Sequence, residues 1–197
     1  MLTKNYYALL TTALMGQNAS GDVAIDTSGT TRVLYSNGNY LATSYNYMSA
    51  GAVLAPYNNN GNHENCLEAY IGDMTTASNY EPVRFGSGST PATVDDYKLE
   101  SVHTNGLTVV SQTAINQSLK NNVITRQYSY ILKNTKSTDV VVGEIGLFYN
   151  GYYGSSSSRS KFMLDRTVLD EPITIAPGGT GTVVYTLTIK VPTCPTE

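Results

Sequence analysis

The feature that most constrains the fold is the alternation of apolar and polar residues in the C-terminal half of the chain. In 182–191 the odd-numbered residues are Val, Tyr, Leu, Ile and Val, whereas three of the five even-numbered residues are Thr. In 121–135, Tyr128, Tyr130 and Leu132 alternate with Gln, Ser and Ile in the same way. A period of two residues with one apolar side is typical of an antiparallel strand that is buried on one face. Both segments therefore predict β-strands.

Strand-like segments recur along the chain, with turn-forming residues between them and no helical segment separating them. Besides the two above, they are 30–37, 106–117, 139–150, 161–169 and the start of 171–191, before the turn Ala-Pro-Gly-Gly. This order argues against a βαβ architecture. We predict an all-β fold, an antiparallel β-sandwich of jelly-roll or immunoglobulin-like type, as one domain over 1–197. The topology of 17–80 stays open.

One helix is predicted at the N-terminus, over residues 2–15. Apolar side chains recur there at helical spacing, and Gly16 is a plausible stop. Such a helix either covers one end of its own domain or docks on a neighbouring subunit. For the second alternative, the candidate contact residues are Leu2, Tyr6, Leu9 and Leu14.

The charge of the chain argues against two classes of partner. Charged residues make up 14% of the sequence and the net charge is -3, with no basic stripe that would attract nucleic acid or anionic lipid. No apolar segment approaches the roughly 20 residues of a membrane-spanning helix. The first residues lack the features of a secretory signal peptide. We therefore expect no nucleic-acid partner, no membrane insertion and no secretion by the ordinary route.

The Gly-rich stretch from Phe85 to Ser101, FGSGSTPATVDDYKLES, resembles a reactive loop only superficially. A phosphate-binding loop needs a Lys after its second glycine, and here Ser, Thr and Pro91 follow instead. Asp95 and Asp96 are adjacent, so in an extended segment their carboxylates point to opposite sides. The stretch is expected to be a turn, fixed by Pro91 and the two acids, that leads into a strand.

Glu144 is the acidic residue that is most expected to be buried, because it lies between glycines in the apolar segment GEIGLF. A buried acid in a strand is sometimes catalytic, but more often it pairs with a cation. Arg166 and Arg126 are the candidate partners, and we expect a structural ion pair between Glu144 and Arg166.

No catalytic residue, cofactor-binding residue or metal ligand is predicted. His63 and His103 have no Cys or second His at the spacing of a zinc site. No serine lies in a Gly-x-Ser-x-Gly elbow. Cys66 and Cys194 lie far apart in the sequence, and whether they pair is open.

Four segments in order, RFGSGSTPATVDDYKLES, TRQYSYILKNT, VGEIGLFYN and KFMLDRTVLDEPITIAPGGTGTVVYTLTI, resemble a recurrent module of tailed-bacteriophage virion proteins. That module occurs in tail-fibre-like, head-fibre and capsid-decoration proteins, many of them from phages of gut bacteria. The similarity covers roughly residues 84–190, and MLDR at 163–166 departs from the small residue that often precedes this Arg in the family. The family carries no catalytic residues that could be transferred to this chain.

The resemblance implies a non-enzymatic structural protein of the virion, present as a repeated subunit of the head, neck or tail. Such a subunit acts through contacts with other copies of itself and with other virion proteins, so a homo-oligomer is expected. It would be made in the cytoplasm of the bacterial host and would end up in the virion. Its position in the particle and its copy number stay open.

The main alternative is a receptor- or carbohydrate-binding module of a phage fibre. The chain has 16 Tyr, 3 Phe and no Trp, and Tyr-rich polar surfaces suit contacts with proteins or sugars. Tyr152 and Tyr153, beside a serine-rich loop, are the candidate stacking residues for a host surface glycan. An enzyme acting on polysaccharide would need two facing carboxylates that the sequence does not provide.

Overall fold

A computed structural model gives the fold and describes residues 1–14, 19–36, 41–43, 72–73, 83–152 and 159–190. Within these described residues there are one helix, α1 (Lys4–Leu14), and ten strands that follow it. The strands are β1 (Ala19–Ile25), β2 (Thr31–Ser36), β3 (Leu41–Thr43), β4 (Gly72–Asp73), β5 (Val83–Gly86), β6 (Leu107–Lys120), β7 (Val123–Asn134), β8 (Val140–Tyr152), β9 (Arg159–Ile175) and β10 (Thr180–Lys190).

All the described strand pairs are antiparallel and form three sheets. A four-stranded sheet has the order β10-β7-β6-β4, a three-stranded sheet has the order β5-β8-β9, and a second three-stranded sheet is β1-β2-β3. The sheets pack together as an all-β antiparallel sandwich, which confirms the predicted fold class.

The core lies between the four-stranded sheet and the sheet β5-β8-β9. Alternate residues of the two predicted strands face it, and Tyr130 and Tyr185 are fully buried. The rings of Phe85 and Tyr130 meet edge to face across the two sheets, with their centroids 5.5 Å apart. Tyr185 also donates a hydrogen bond of 2.6 Å to the buried carboxylate of Asp165 in the opposite sheet. The tyrosine excess therefore serves the core as well as the surface.

The N-terminal helix begins at Lys4, two residues later than predicted. Leu2 forms an isolated antiparallel bridge with Asp165, and the Thr3 amide donates to the carbonyl of Leu164, so these residues extend along β9. The side chain of Asn5 fixes the helix to β1 by hydrogen bonds in both directions with the backbone of Ile25, at 2.8 and 2.9 Å. The helix thus covers part of its own domain, as the first of the two alternatives expected.

Two strand predictions are corrected by the structure. The segments 161–169 and 171–175 form one strand, β9, which continues past Pro172 because four residues of β9 lie opposite one residue of β8 at Gly143. The stretch from Phe85 to Ser101 does not lead into a strand. It leaves β5 after Gly86 and crosses the sheet as a loop, touching β5 again only through a bridge at Val102.

Candidate functional site

The strongest concentration of polar contacts lies on the face of the sheet β5-β8-β9 that points away from the core. Gly146 of β8 pairs with Arg166 of β9, and Glu144 is two residues from Gly146 on the same face. The loop 87–102 covers these side chains. Successive side chains of a strand point to opposite faces of the sheet. Because Ile145 points into the core, Glu144 points to the other face, under the loop.

Arg166 is the centre of this cluster, which we call the arginine cluster: Arg166, Glu144, Asp96 and Glu100. Its guanidinium donates from Nε to Glu144 at 2.8 Å, from Nη1 to Asp96 at 2.9 Å and from Nη2 to Glu100 at 3.2 Å. The side chain is only 4% exposed. The structure therefore contains the expected pair of Glu144 and Arg166 and adds two acids from the loop.

Glu144 is fully buried, and its two carboxylate oxygens are occupied by donors. Oε1 accepts from the backbone amides of Gly88 at 3.2 Å and Ser101 at 2.8 Å. Oε2 accepts from the amide of Glu100 at 3.2 Å as well as from Arg166. One carboxylate thus holds both ends of the loop 87–102, because Gly88 lies near its start and Ser101 near its end.

The two acids of the loop are held by the loop's own backbone. Glu100 accepts from the amides of Ser89 and Thr90 and from the Thr90 hydroxyl, at 2.8 to 3.0 Å. Those bonds from Thr90 and Ser89, with the nearby Arg166 charge, hold the pKa of the Glu100 carboxyl below its ordinary value.

Asp96 closes a turn, because its carboxylate accepts from both the amide and the hydroxyl of Thr93. Burial by itself raises the pKa of the Asp96 carboxyl, but the hydrogen bonds from Thr93 and Arg166 outweigh burial and leave this pKa below its ordinary value. Burial by itself lowers the pKa of Arg166, because it disfavours the charged guanidinium. The hydrogen bonds to Asp96 and Glu144 outweigh burial and leave the pKa of Arg166 raised.

Two glycines make room for the buried carboxylate. A Cβ atom added at Gly88 would lie 2.6 Å from Oε1 of Glu144 and 2.7 Å from Cβ of Glu100. A Cβ at Gly86 would meet the same carboxylate and the carbonyl of Ser101, the latter at 2.6 Å. The Gly-x-Gly of the motif therefore allows close approach of the loop to Glu144, rather than binding a phosphate.

A small second core seals the other side of the loop. Leu99 of the loop packs with Phe148 and Met163, and all three are buried. Gly146 leaves space for this contact, since a Cβ there would lie 2.8 Å from the Phe148 ring and 2.9 Å from Leu99. The loop is thus fixed by an apolar contact and by the arginine cluster together.

This arrangement offers little for acid–base chemistry. Each carboxylate of the arginine cluster accepts at least three hydrogen bonds, and all three guanidinium nitrogens donate. Among the described residues, no group of three or more His, Cys, Asp or Glu could hold a metal ion. Half-buried His103 has its Nε2 atom 2.7 Å from the carbonyl oxygen of Val141.

The structure places the other predicted site residues as follows. Tyr6 and Leu9 are 4% and 1% exposed in the chain's own core, so these two side chains have little surface left for a second subunit, whereas Leu2 is partly buried against that core. Leu14 ends the helix and Tyr152 ends β8, but their side chains lie outside the described part of the structure. Tyr153, His63, Cys66 and Cys194 also lie outside the described residues.

Sequence reasoning missed Asp96 and Glu100 as partners of Arg166. Asp96 was expected to close a turn, which it does, but its second contact joins residues 70 positions apart. Arg126, the other candidate partner of Glu144, lies on β7 in the opposite sheet. The residues next to Asp96 and Glu100 in the sequence do not indicate that these acids contact a strand far along the chain.

The comparisons with known proteins do not assign the chain to a family. No protein-family model matches the chain, and a search of curated proteins finds no significant match. In the described residues, no helix is long and apolar enough to cross a membrane.

Proposed function

We propose that this chain is a non-enzymatic structural protein of a tailed-bacteriophage virion, a repeated subunit of the head, neck or tail. Its partners would be other copies of the same chain and neighbouring virion proteins. The proposal draws on the resemblance of residues 84–190 to virion modules and on the all-β sandwich that those residues build.

One observation carries the proposal: three of the four segments that carry the resemblance converge at the arginine cluster. The loop motif supplies Gly88, Asp96 and Glu100, the Glu-Ile-Gly-Leu strand supplies Glu144, and the Leu-Asp-Arg strand supplies Arg166. Each motif therefore satisfies the hydrogen-bonding groups of another. The charged side chains of Glu144, Arg166, Asp96 and Glu100 thus fix a loop on a sheet, which favours a structural role for these motifs.

The same observation argues against the enzyme alternative. A general acid or base needs a carboxyl group within reach of substrate and a pKa near the working pH. Glu144 is fully buried, while the pKa values of Asp96 and Glu100 are shifted downward, away from neutrality. Buried ion pairs of this kind are frequently structural.

The test is to follow the protein through purification of intact phage particles. Antibody against the purified chain should detect it in the particle band of a density gradient, and gold-labelled antibody should mark one defined part of the particle in electron micrographs. Detection only in the soluble lysate, with unlabelled particles, would contradict the proposal.

A second candidate function, binding of an acidic host glycan, is favoured by the outer face of the four-stranded sheet. Strands β6, β7 and β10 form six rows of three cross-strand neighbours on that face. The end rows are Lys120, Val123 and Lys190, and Thr108, Lys133 and Thr180. The twelve positions between them are Thr, Ser, Asn and Gln apart from Ile131 and Val184, and no row contains Asp or Glu.

Every residue of these rows is exposed or half-buried. Hydroxyl and amide groups can hydrogen-bond to sugar hydroxyls, and lysines at the ends favour a carboxylated or phosphorylated chain. Binding of acidic polysaccharide should weaken in the double variant Lys120→Gln, Lys190→Gln and persist in Lys98→Gln, which removes one charge from the exposed loop. Equal binding by all three proteins, or none by the wild type, would exclude this face as the site.

A further inference from the structure

We propose that two copies of this chain pair edge to edge along β10, so that their four-stranded sheets become one continuous sheet across a two-fold axis. The inference rests on the proposed function, because it names the contact through which a repeated subunit would assemble. It concerns the backbone edge of the sheet and does not involve the helix face discussed above.

The described sheet edges differ in how well they are protected against pairing with another chain. Native proteins protect edge strands by shortness, bulges, proline, charged residues or a covering segment. Strands β3, β4 and β5 have only two to four residues. Strand β1 contains an irregularity between Ser20 and Val23. Strand β6, beyond its two-residue pairing with β4, has irregularities next to Val110 and Ile115.

Strand β9 is long, but other parts of the chain cover it. Leu2 bridges to Asp165, Thr3 donates to Leu164, and the amide of Thr27 donates to the carbonyl of Lys161. Pro172 and the four-residue irregularity beside it interrupt the remainder. Each of these edges therefore carries at least one of the protecting features.

Within the described part of the chain, strand β10 carries only one of these features, a charged residue at its end. Its eleven residues pair with β7 in an unbroken register from Thr180 to Lys190, with no bulge and no proline. Its only charged residue is Lys190, at its end. On its other side, no described strand pairs with it. At roughly 3.3 Å per residue, this leaves a regular edge about 36 Å long.

The side chains of β10 favour a second copy as the occupant. With an axis at the centre of the strand, antiparallel pairing places Leu187 beside Val183 of the second copy on the inner face. On the outer face, Val184, which is 49% exposed, lies beside Thr186 of the second copy. Apolar and β-branched cross-strand pairs of this kind stabilise antiparallel sheets.

The charges agree with the same arrangement. Antiparallel pairing about the centre places Lys190 opposite Thr180 of the second copy, so the two lysines lie at opposite ends of the contact. Pairing of one patch with itself across a two-fold axis closes the assembly at two copies. The outer faces of the two sheets would then form one uncharged surface with lysines at its ends.

The experiment compares sedimentation equilibrium of three proteins over a range of concentrations. The variant Val184→Lys places a charge on the edge strand, where its counterpart in the second copy lies close by. The control Ser129→Lys adds the same charge in the same row and on the same face, but on the central strand β7. We expect dimers for the wild type and the control, and a dissociation constant at least about tenfold higher for Val184→Lys, which corresponds to about 1.4 kcal/mol.

A wild-type protein that stays monomeric at every concentration would overturn the proposal, as would equal dimerisation of both variants. If Val184→Lys does not fold, hydrogen exchange of the wild-type protein replaces it. Every second amide of β10 should exchange more slowly in concentrated than in dilute solution, while the amides of β6 stay unchanged. An exchange pattern independent of concentration would again overturn the proposal.

These outcomes are separable from a failure of the proposed function. A chain found in phage particles that does not dimerise through β10 would retain its structural role and lose this contact. A chain that dimerises through β10 but is missing from particles would retain the contact and lose the proposed virion role.

Discussion

At the scale of single residues, Arg166 makes ion pairs with three carboxylates through one guanidinium, so we expect its substitution to be strongly destabilising. Removing one partner of a buried ion pair leaves uncompensated charge and typically costs about 3–5 kcal/mol. We expect Arg166→Met to lower the free energy of unfolding by about that amount. Urea unfolding followed by circular dichroism measures it.

The matched control for this prediction is Lys4→Met, which removes the cation of the ion pair with Asp95. That pair is largely exposed, with side-chain exposures of 72% and 69%. Exposed pairs are worth about 0–1 kcal/mol. Equal losses of stability for the two variants would mean that the arginine cluster contributes no more than an ordinary surface pair.

Gly88 gives a second prediction at this scale. A methyl group at this position would overlap Oε1 of Glu144, which is already held by Arg166 and by three amides through its carboxylate. Overpacking of this kind typically costs about 1–3 kcal/mol. Thermal unfolding of Gly88→Ala should show that loss, whereas Ser89→Ala at the exposed neighbouring position should unfold like the wild type.

The sequence predicts single residues only where the signal is local. Glu144 stands out because an acid between glycines in an apolar strand requires a partner, and Arg166 is a cation in another such strand. Asp96 and Glu100 look like ordinary turn residues, since their contacts with Arg166 depend on how a 16-residue loop crosses the sheet. The role of Gly88 is equally invisible without the position of the Glu144 carboxylate.

At the scale of elements, the loop 87–102 should be sensitive to acid. The lowered pKa values of Asp96 and Glu100 mean that their stabilising effect is complete above the ordinary values of 3.8 and 4.5 and is lost as the pH falls through the lower folded-state values. Hydrogen exchange of the Thr90 and Thr93 amides should therefore accelerate relative to core amides below about pH 4. Constant protection of these amides down to pH 2 would contradict this.

The hairpin between β6 and β7 offers a stabilising change. Asn121 and Asn122 connect Lys120 to Val123 and both have positive φ, 51° and 59°, as a two-residue type I′ turn requires. Glycine adopts this conformation most readily, so Asn122→Gly should raise the free energy of unfolding by a few tenths to about 1 kcal/mol. Asn122→Val should lower it, and a melting temperature that moves the same way in both variants would count against the turn assignment.

Strands with strong alternation or strand-like composition were predictable, including β6 and β8, and the loop between β5 and β6 was not. β7 and β10 lie where the period of two places them, and β2 lies within its predicted segment. The strand-like composition of 161–169 says nothing about Pro172, where an irregularity lets the strand continue. The stretch 85–101 has no periodicity, so composition suggested a turn but gave no indication that both ends of the loop bind one buried carboxylate.

At the scale of the whole molecule, the fold and the proposed role depend on different parts of the chain. The core between the two sheets and the arginine cluster stabilise the single chain. Among the described residues, no strand pairs with the outer edge of β10, and the outer face of the four-stranded sheet is exposed or half-buried. Substitutions in the arginine cluster should therefore change stability without changing the partner that the folded protein binds, and substitutions on the outer face should do the reverse.

The most direct test of the central claim, that the chain is a repeated structural subunit of a virion, is its copy number in purified particles. Quantitative mass spectrometry against isotope-labelled standards gives the ratio of this chain to the major capsid protein. We predict a fixed ratio in independent preparations, corresponding to several copies per particle. A ratio that falls towards zero as the particles become purer would contradict the account.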